Sequence, residues 1–234
     1  MARRAERLTL FAEPAAILAR AAAPGGGEMI LRRLGDGYEI RIDGRELMSS
    51  RGHGSEAALA RRAAAALRER PSPRVLVGGL GLGYTLRAAL DAFPAAARFV
   101  VAELLPAIVA WNRGPLAPLA GRPLDDPRVA LHVGDVAALL GGDAAFDAIL
   151  LDVDNGPEAV TVATNRQLYQ PEGLALLAAA LSPGGVLAIW SADPAPSFLT
   201  RLADAGLVAR AELAPARGET GGPEHTIFLA AKRD

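Results

Sequence analysis

The chain has 234 residues, 51% hydrophobic and 22% charged, with a formal net charge of −1. That composition fits a soluble globular protein with one sizeable core and room for a small appendage, and it offers no basic field for nucleic acid. The absence of cysteine excludes disulfides, thiolate metal sites and cysteine nucleophiles. The three histidines, His53, His132 and His225, are far apart in sequence, so no metal site is expected.

The N-terminal stretch is too interrupted by arginine for a signal peptide and too short for a membrane span. A cytoplasmic protein is therefore expected. Residues 1–27 are rich in Ala and Arg and end in "PGGG", which reads as a helix or irregular arm followed by a flexible break. Asp-Gly turn signals at Asp36-Gly37 and Asp43-Gly44 separate short β-like runs, predicting a small antiparallel β unit. Residues 55–70 read as a helix with Ser55 as N-cap and Pro71 as its stop. We place the boundary of a small N-terminal region, 1–54, from a main domain, 55–234, at that helix.

From residue 71 the pattern alternates strand and helix. Strands are predicted at 74–78, 98–103, 129–133, 146–152, 185–190, 207–213 and 225–231, with helices at 84–92, 105–112, 158–181 in one or two pieces, and 195–205. This is an α/β, doubly wound, mainly parallel seven-stranded sheet. No helix separates the last two strands, so the last strand should run antiparallel. That layout is the usual one of class I S-adenosylmethionine (SAM)-dependent methyltransferases.

Four strand ends carry the residues of chemical interest. The first is the loop of "RVLVGGLGLGYT", with Gly79, Gly81 and Gly83. Bare backbone at a helix start suits a polar ligand at close approach. The spacing is G-x-G-x-G, not the G-x-G-x-x-G of dinucleotide binders, and no Gly-Lys-Ser/Thr ending marks a P-loop. Glu103 ends the second strand, where a carboxylate meets ribose hydroxyls. Asp135 follows the third and either accepts from an adenine amine or caps the segment after it. Asp152 and Asp154 follow the fourth, in "FDAILLDVDNGP", and suit an ammonium group or removal of a proton from an amine. Asp147 reads as a surface residue. His53 and Glu56, in "HGSE" before the first helix, together with Tyr84 and Tyr169 are substrate-side candidates.

In this order the motifs resemble the spermidine synthases, the polyamine aminopropyltransferases, from about residue 28 onward. The pieces are "IDGRELMSS", "HGSE", "VLVGGLGLGYTLR", "VVAEL", "DDPRVALHVGD", "FDAILLDVDNGP" and "LSPGGVLAIW". The resemblance implies that Glu103 binds ribose, that Asp135 binds adenine and that Asp152 activates the attacking amine. It also implies a homodimer.

The chain departs from the family at Leu82 and Tyr84, where the family loop has an aspartate and a glycine. That aspartate helps hold the aminopropyl ammonium of decarboxylated SAM. With leucine there, SAM is the expected cofactor and methyl transfer to a small, possibly amine, acceptor the expected reaction. Two alternatives stay open. One is aminopropyl transfer from decarboxylated SAM; the other is a non-catalytic, dimeric nucleoside-binding protein.

Overall fold

The computed structural model describes residues 15–23, 26–141, 145–153, 155–158 and 163–233. The chain divides into two units, Met1–Ser50 and Arg51–Asp234.

The first unit is a four-stranded antiparallel sheet of β1 (Ala16–Ala22), β2 (Glu28–Leu34), β3 (Gly37–Ile42) and β4 (Arg45–Ser49), paired in sequence order. Both Asp-Gly signals fall at its reversals. Met29, Leu31 and Ile40 are fully buried, which is the period-two apolar face of half-exposed strands. Glu39 is buried beside them, and burial pushes its carboxyl up; Arg32 and Arg41 outweigh this and hold it below its ordinary range. β1 corrects the helix-or-arm expectation. Its alanines favour helix as isolated residues, yet the segment pairs with β2 from Ala16↔Arg33 to Ala22↔Glu28, and pairing overrides propensity.

The second unit is built on a seven-stranded sheet. Its strands are β5 (Arg74–Gly78), β6 (Arg98–Glu103), β7 (Val129–Val133), β8 (Phe146–Leu151), β9 (Leu181–Ser191), β10 (Leu207–Pro215) and β11 (Glu224–Lys232). Their order is β10-β11-β9-β8-β5-β6-β7, and β11 is antiparallel to both β9 and β10. This is the expected sheet with its antiparallel last strand. The helices are α1 (Gly54–Ala66), α2 (Tyr84–Ala92), α3 (Pro106–Arg113), α4 (Ala163–Leu168), α5 (Pro171–Ala180) and α6 (Phe198–Asp204). The central strands are apolar on both faces: Val75, Leu76 and Val77 of β5 and Ala148 to Leu151 of β8 are inaccessible, as helix cover on both sides requires.

Three local expectations need correction. Helix α1 starts with His53 at its N-cap and ends at Ala66, short of Pro71. Ser55 caps nothing, because its hydroxyl bonds to side chains instead. Asp147 is no plain surface residue: its carboxylate accepts from Arg70 Nη1 at 2.6 Å and from the Arg74 amide at 2.8 Å, tying the segment after α1 to the start of β5.

The fold sets the site through one topological fact. From β5 the chain moves to β6 on one side and later returns to β8 on the other. The crossovers diverge there and leave a crevice at the carboxyl ends of β5, β6 and β8. Among the described residues no helix is long and apolar enough to cross a membrane.

Candidate active site

The glycine loop leaves β5 between the ends of β6 and β8. The Gly79 amide donates to Ala102 O on β6, and the Asp152 amide after β8 donates to Gly78 O, both at 2.9 Å. Gly79 has φ +91°, and a β-carbon there would lie 2.2 Å from the Asp152 carbonyl oxygen. Only glycine fits that conformation and that approach. Gly83, at φ +87°, is the N-cap of α2. Between them the Gly81 carbonyl accepts from Asn112 Nδ2 at 2.8 Å, while Asn112 Oδ1 is buried with no hydrogen-bond partner.

Glu103 is 7% exposed, and its two oxygens accept from the Leu80 amide at 2.9 Å and the Leu105 amide at 2.8 Å. Burial pushes its pKa up, and these backbone bonds pull against the shift. The carboxylate therefore holds the glycine loop in shape. The amides of Gly81 and Leu104 also act on it, in the direction that lowers its pKa. Asp135 caps the turn after β7, with Oδ1 accepting from the Ala137 amide at 2.9 Å. That is one of its two sequence readings, and it leaves Oδ2 for a ligand.

Asp152 accepts from the Thr85 hydroxyl at the start of α2. Burial, and after it the negative charge of Glu56, raise its pKa to about 7, although the Thr85 bond works the other way. Burial also raises Glu56, against a 2.6 Å bond between Ser55 Oγ and Glu56 Oε2. Two carboxyl groups thus act on each other near the strand ends, each biased toward its neutral form. The start of α1 reaches this place because Gly52 and Gly54 let the backbone lie on the β10–β11 connection; the Gly54 amide donates to Ala216 O at 2.7 Å.

His53 and Tyr84 stack with ring centroids 4.0 Å apart. They border a cleft of about 440 Å³ that also takes in Arg61, Arg87, Asp91 and Leu119, and neither Glu56 nor Asp152 lines it. Tyr169 is a core residue, 1% exposed; its hydroxyl donates to Val153 O and its ring packs edge-on against Phe198. It supports the loop after β8 from behind. Asp154 lies outside the described residues. Leu82 is 6% exposed.

The sequence assigns no place near the site to Thr85, Asn112, Trp190 or His225, and reads Ser55 only as a helix cap. A threonine one residue into a helix after a glycine loop was a usable signal for Thr85. Nothing local in the sequence signalled the other four. Among the described residues no group of three or more acidic or histidine side chains could hold a metal ion.

No family model matches the chain. Polyamine aminopropyltransferases of Mycobacterium tuberculosis and Mycobacterium bovis are 34% identical to it over 124 residues, covering 51% of this chain and 23% of theirs. The match thus spans under a quarter of the length of those relatives. Among solved structures, spermidine synthase from Thermotoga maritima superposes with a TM-score of 0.73 at 17% identity, over 93% of this chain and 73% of that one. A spermidine synthase in complex with the transition-state analogue AdoDATO gives 0.72 at 17% identity, over 93% and 72%. A probable spermidine synthase from Corynebacterium glutamicum gives 0.59 at 18%, over 93% and 79%. The chain therefore has the fold of the spermidine synthases, and about half of it aligns in sequence with polyamine aminopropyltransferases.

Proposed function

We propose that the chain is an aminopropyltransferase, moving the aminopropyl group of decarboxylated SAM to a small amine acceptor. The observation that carries this reading is the pair of Asp152, with its pKa raised to about 7, and the neighbouring Glu56. An amine must be held as a cation and then attack as the free base. A carboxylate that titrates near neutrality suits both steps.

The expectation of SAM and methyl transfer rested on Leu82 as a lost acid. Asp152 and Glu56 supply acid near the strand ends, so the acid missing at Leu82 does not by itself exclude a ligand that carries an ammonium group. The names of the matching relatives also favour aminopropyl over methyl transfer.

Decarboxylated SAM supplies an alkyl group on a sulfonium, an activated leaving group. The chain's own work is alignment, desolvation and proton removal. Glu103 binds the ribose and holds the glycine loop, the free oxygen of Asp135 binds the adenine amine, and the unpartnered Asn112 Oδ1 marks a further acceptor beside the loop. Asp152 takes the proton that the acceptor amine loses, and Thr85 fixes the orientation of its carboxylate.

Titration calorimetry with decarboxylated SAM, SAM and 5′-methylthioadenosine tests the reading. Decarboxylated SAM should bind more tightly than SAM. The reverse order returns methyl transfer to first place, and no binding of any of the three removes both enzymatic readings.

A further inference from the structure

Helices α1 and α2 pack side by side and run the same way, since α1 leads toward the start of β5 and α2 leaves from its end. Their first turns meet where His53 and Tyr84 stack, with ring centroids 4.0 Å apart and planes 14° apart. Beyond that stack the facing side chains are short. Ala57 on α1 and Ala88 and Ala92 on α2 carry only methyl groups, and the cleft of about 440 Å³ opens over them, with Leu119 and Ala120 completing its apolar lining. The volume is that of a small-molecule pocket. It lies apart from the acids: Glu56 and Thr85 belong to the same first turns as His53 and Tyr84, yet neither they nor Asp152 line it.

Uncompensated charge enters the cleft at one place. Arg87 and Asp91 both border it, but they bond to each other, with Arg87 Nε donating to Asp91 Oδ2 at 2.9 Å, so their charges offset locally. Arg61 borders it too, and among the described residues its guanidinium has no hydrogen-bond or ion-pair partner. One free guanidinium calls for one negative charge, and its planar fork matches a carboxylate. A phosphate dianion would bring a second charge close to the Asp91 carboxylate. The other end of the cleft is aromatic, and aromatic rings pair best with rings. Arg61 is eight residues from His53, about 12 Å along a helix axis. With the arginine side chain reaching along the cleft, that distance is within the span of one small aromatic acid.

We propose that this cleft is a second ligand site, which takes a small aromatic monocarboxylate. The ring of the ligand lies against the His53–Tyr84 pair, its body over the alanines, and its carboxylate on Arg61. The site requires nothing of the aminopropyltransferase reading.

Three probes with one ring system and different charges test it by titration calorimetry: indole-3-acetate, indole-3-acetamide and tryptamine. The carboxylate should bind. The neutral amide should bind about tenfold or more weakly, as loss of a charged hydrogen-bonding pair requires, and the ammonium should be weaker still. Arg61→Ala should weaken indole-3-acetate by a similar factor. That position is exposed and helical, where alanine is favourable, so the melting temperature should match wild type. Ala88→Phe should abolish binding by filling the floor of the cleft. Saturating 5′-methylthioadenosine should leave the affinity for indole-3-acetate unchanged, because the nucleoside crevice is elsewhere. The site is overturned if indole-3-acetate does not bind, if either variant binds it as wild type does, if tryptamine binds as tightly, or if 5′-methylthioadenosine competes. Binding of indole-3-acetate, lost in Arg61→Ala, by a protein that takes up neither decarboxylated SAM nor 5′-methylthioadenosine would count against the aminopropyltransferase reading and leave this site standing.

Discussion

Gly79 lies so close to Asp152 that a β-carbon on it would sit 2.2 Å from the Asp152 carbonyl oxygen. The glycine loop and the strand end bearing the candidate base are therefore one rigid piece, joined as well by the 2.9 Å bond from the Asp152 amide to Gly78 O. Gly79→Ala should push them apart and also strain a backbone at φ +91°. A loss of about 1–3 kcal/mol of stability is expected, with weaker nucleoside binding. Chemical denaturation checks this; a loss under about 0.5 kcal/mol, the range of an ordinary surface change, would contradict the close approach.

The pH profile should report the acid pair. A general base works only when deprotonated, so kcat/KM should rise with pH through about 7, the value to which burial and Glu56 push Asp152. Glu56→Gln removes a negative charge from its neighbour and should move the midpoint to lower pH. A midpoint that stays in place, or moves up, would show that Glu56 does not act on the base.

The same shift has a consequence for stability. The folded protein holds the Asp152 proton more tightly than the unfolded chain, whose value is near 3.8. The stabilisation from this group is fully present below about 3.8 and is lost as pH rises through about 7. Asp152→Asn stays neutral at every pH, so its stability relative to wild type should grow as pH rises through that window. A difference independent of pH would mean that Asp152 titrates normally. Turnover of this variant should be abolished, with nucleoside affinity within a few-fold of wild type.

Glu103→Gln tests the double role of that side chain. The carboxylate accepts two backbone amides, from Leu80 and Leu105. A carboxamide offers one acceptor, so one amide would face an N–H₂ group in a buried place. The expected cost is about 1–3 kcal/mol of stability, with weaker nucleoside binding in calorimetry. Wild-type stability with weakened binding would make Glu103 purely a ligand group.

The sheet was legible in sequence because parallel buried strands write continuous apolar runs, as in "VLV" at 75–77 and "ILL" at 149–151. The glycine loop, Glu103, Asp135 and Asp152 were legible because strand ends recur at known offsets. Strand β1 was not, since "AILARAA" carries no alternation and owes its form to pairing with β2. Leu82 marks the limit of reading a motif position, which says which residue type is absent and not what the side chain that is present packs against; this one is buried. The Ser55–His225 contact joins residues 170 positions apart, a juxtaposition that only the β11–β9 pairing and the path of α1 create.

Product analysis tests the central claim most directly. The purified protein is incubated with a diamine and either decarboxylated SAM or SAM, and both products are followed by mass spectrometry. The account predicts an aminopropylated diamine with an equal yield of 5′-methylthioadenosine from decarboxylated SAM, and no transfer from SAM. A methylated product from SAM, with no reaction of decarboxylated SAM, would contradict it.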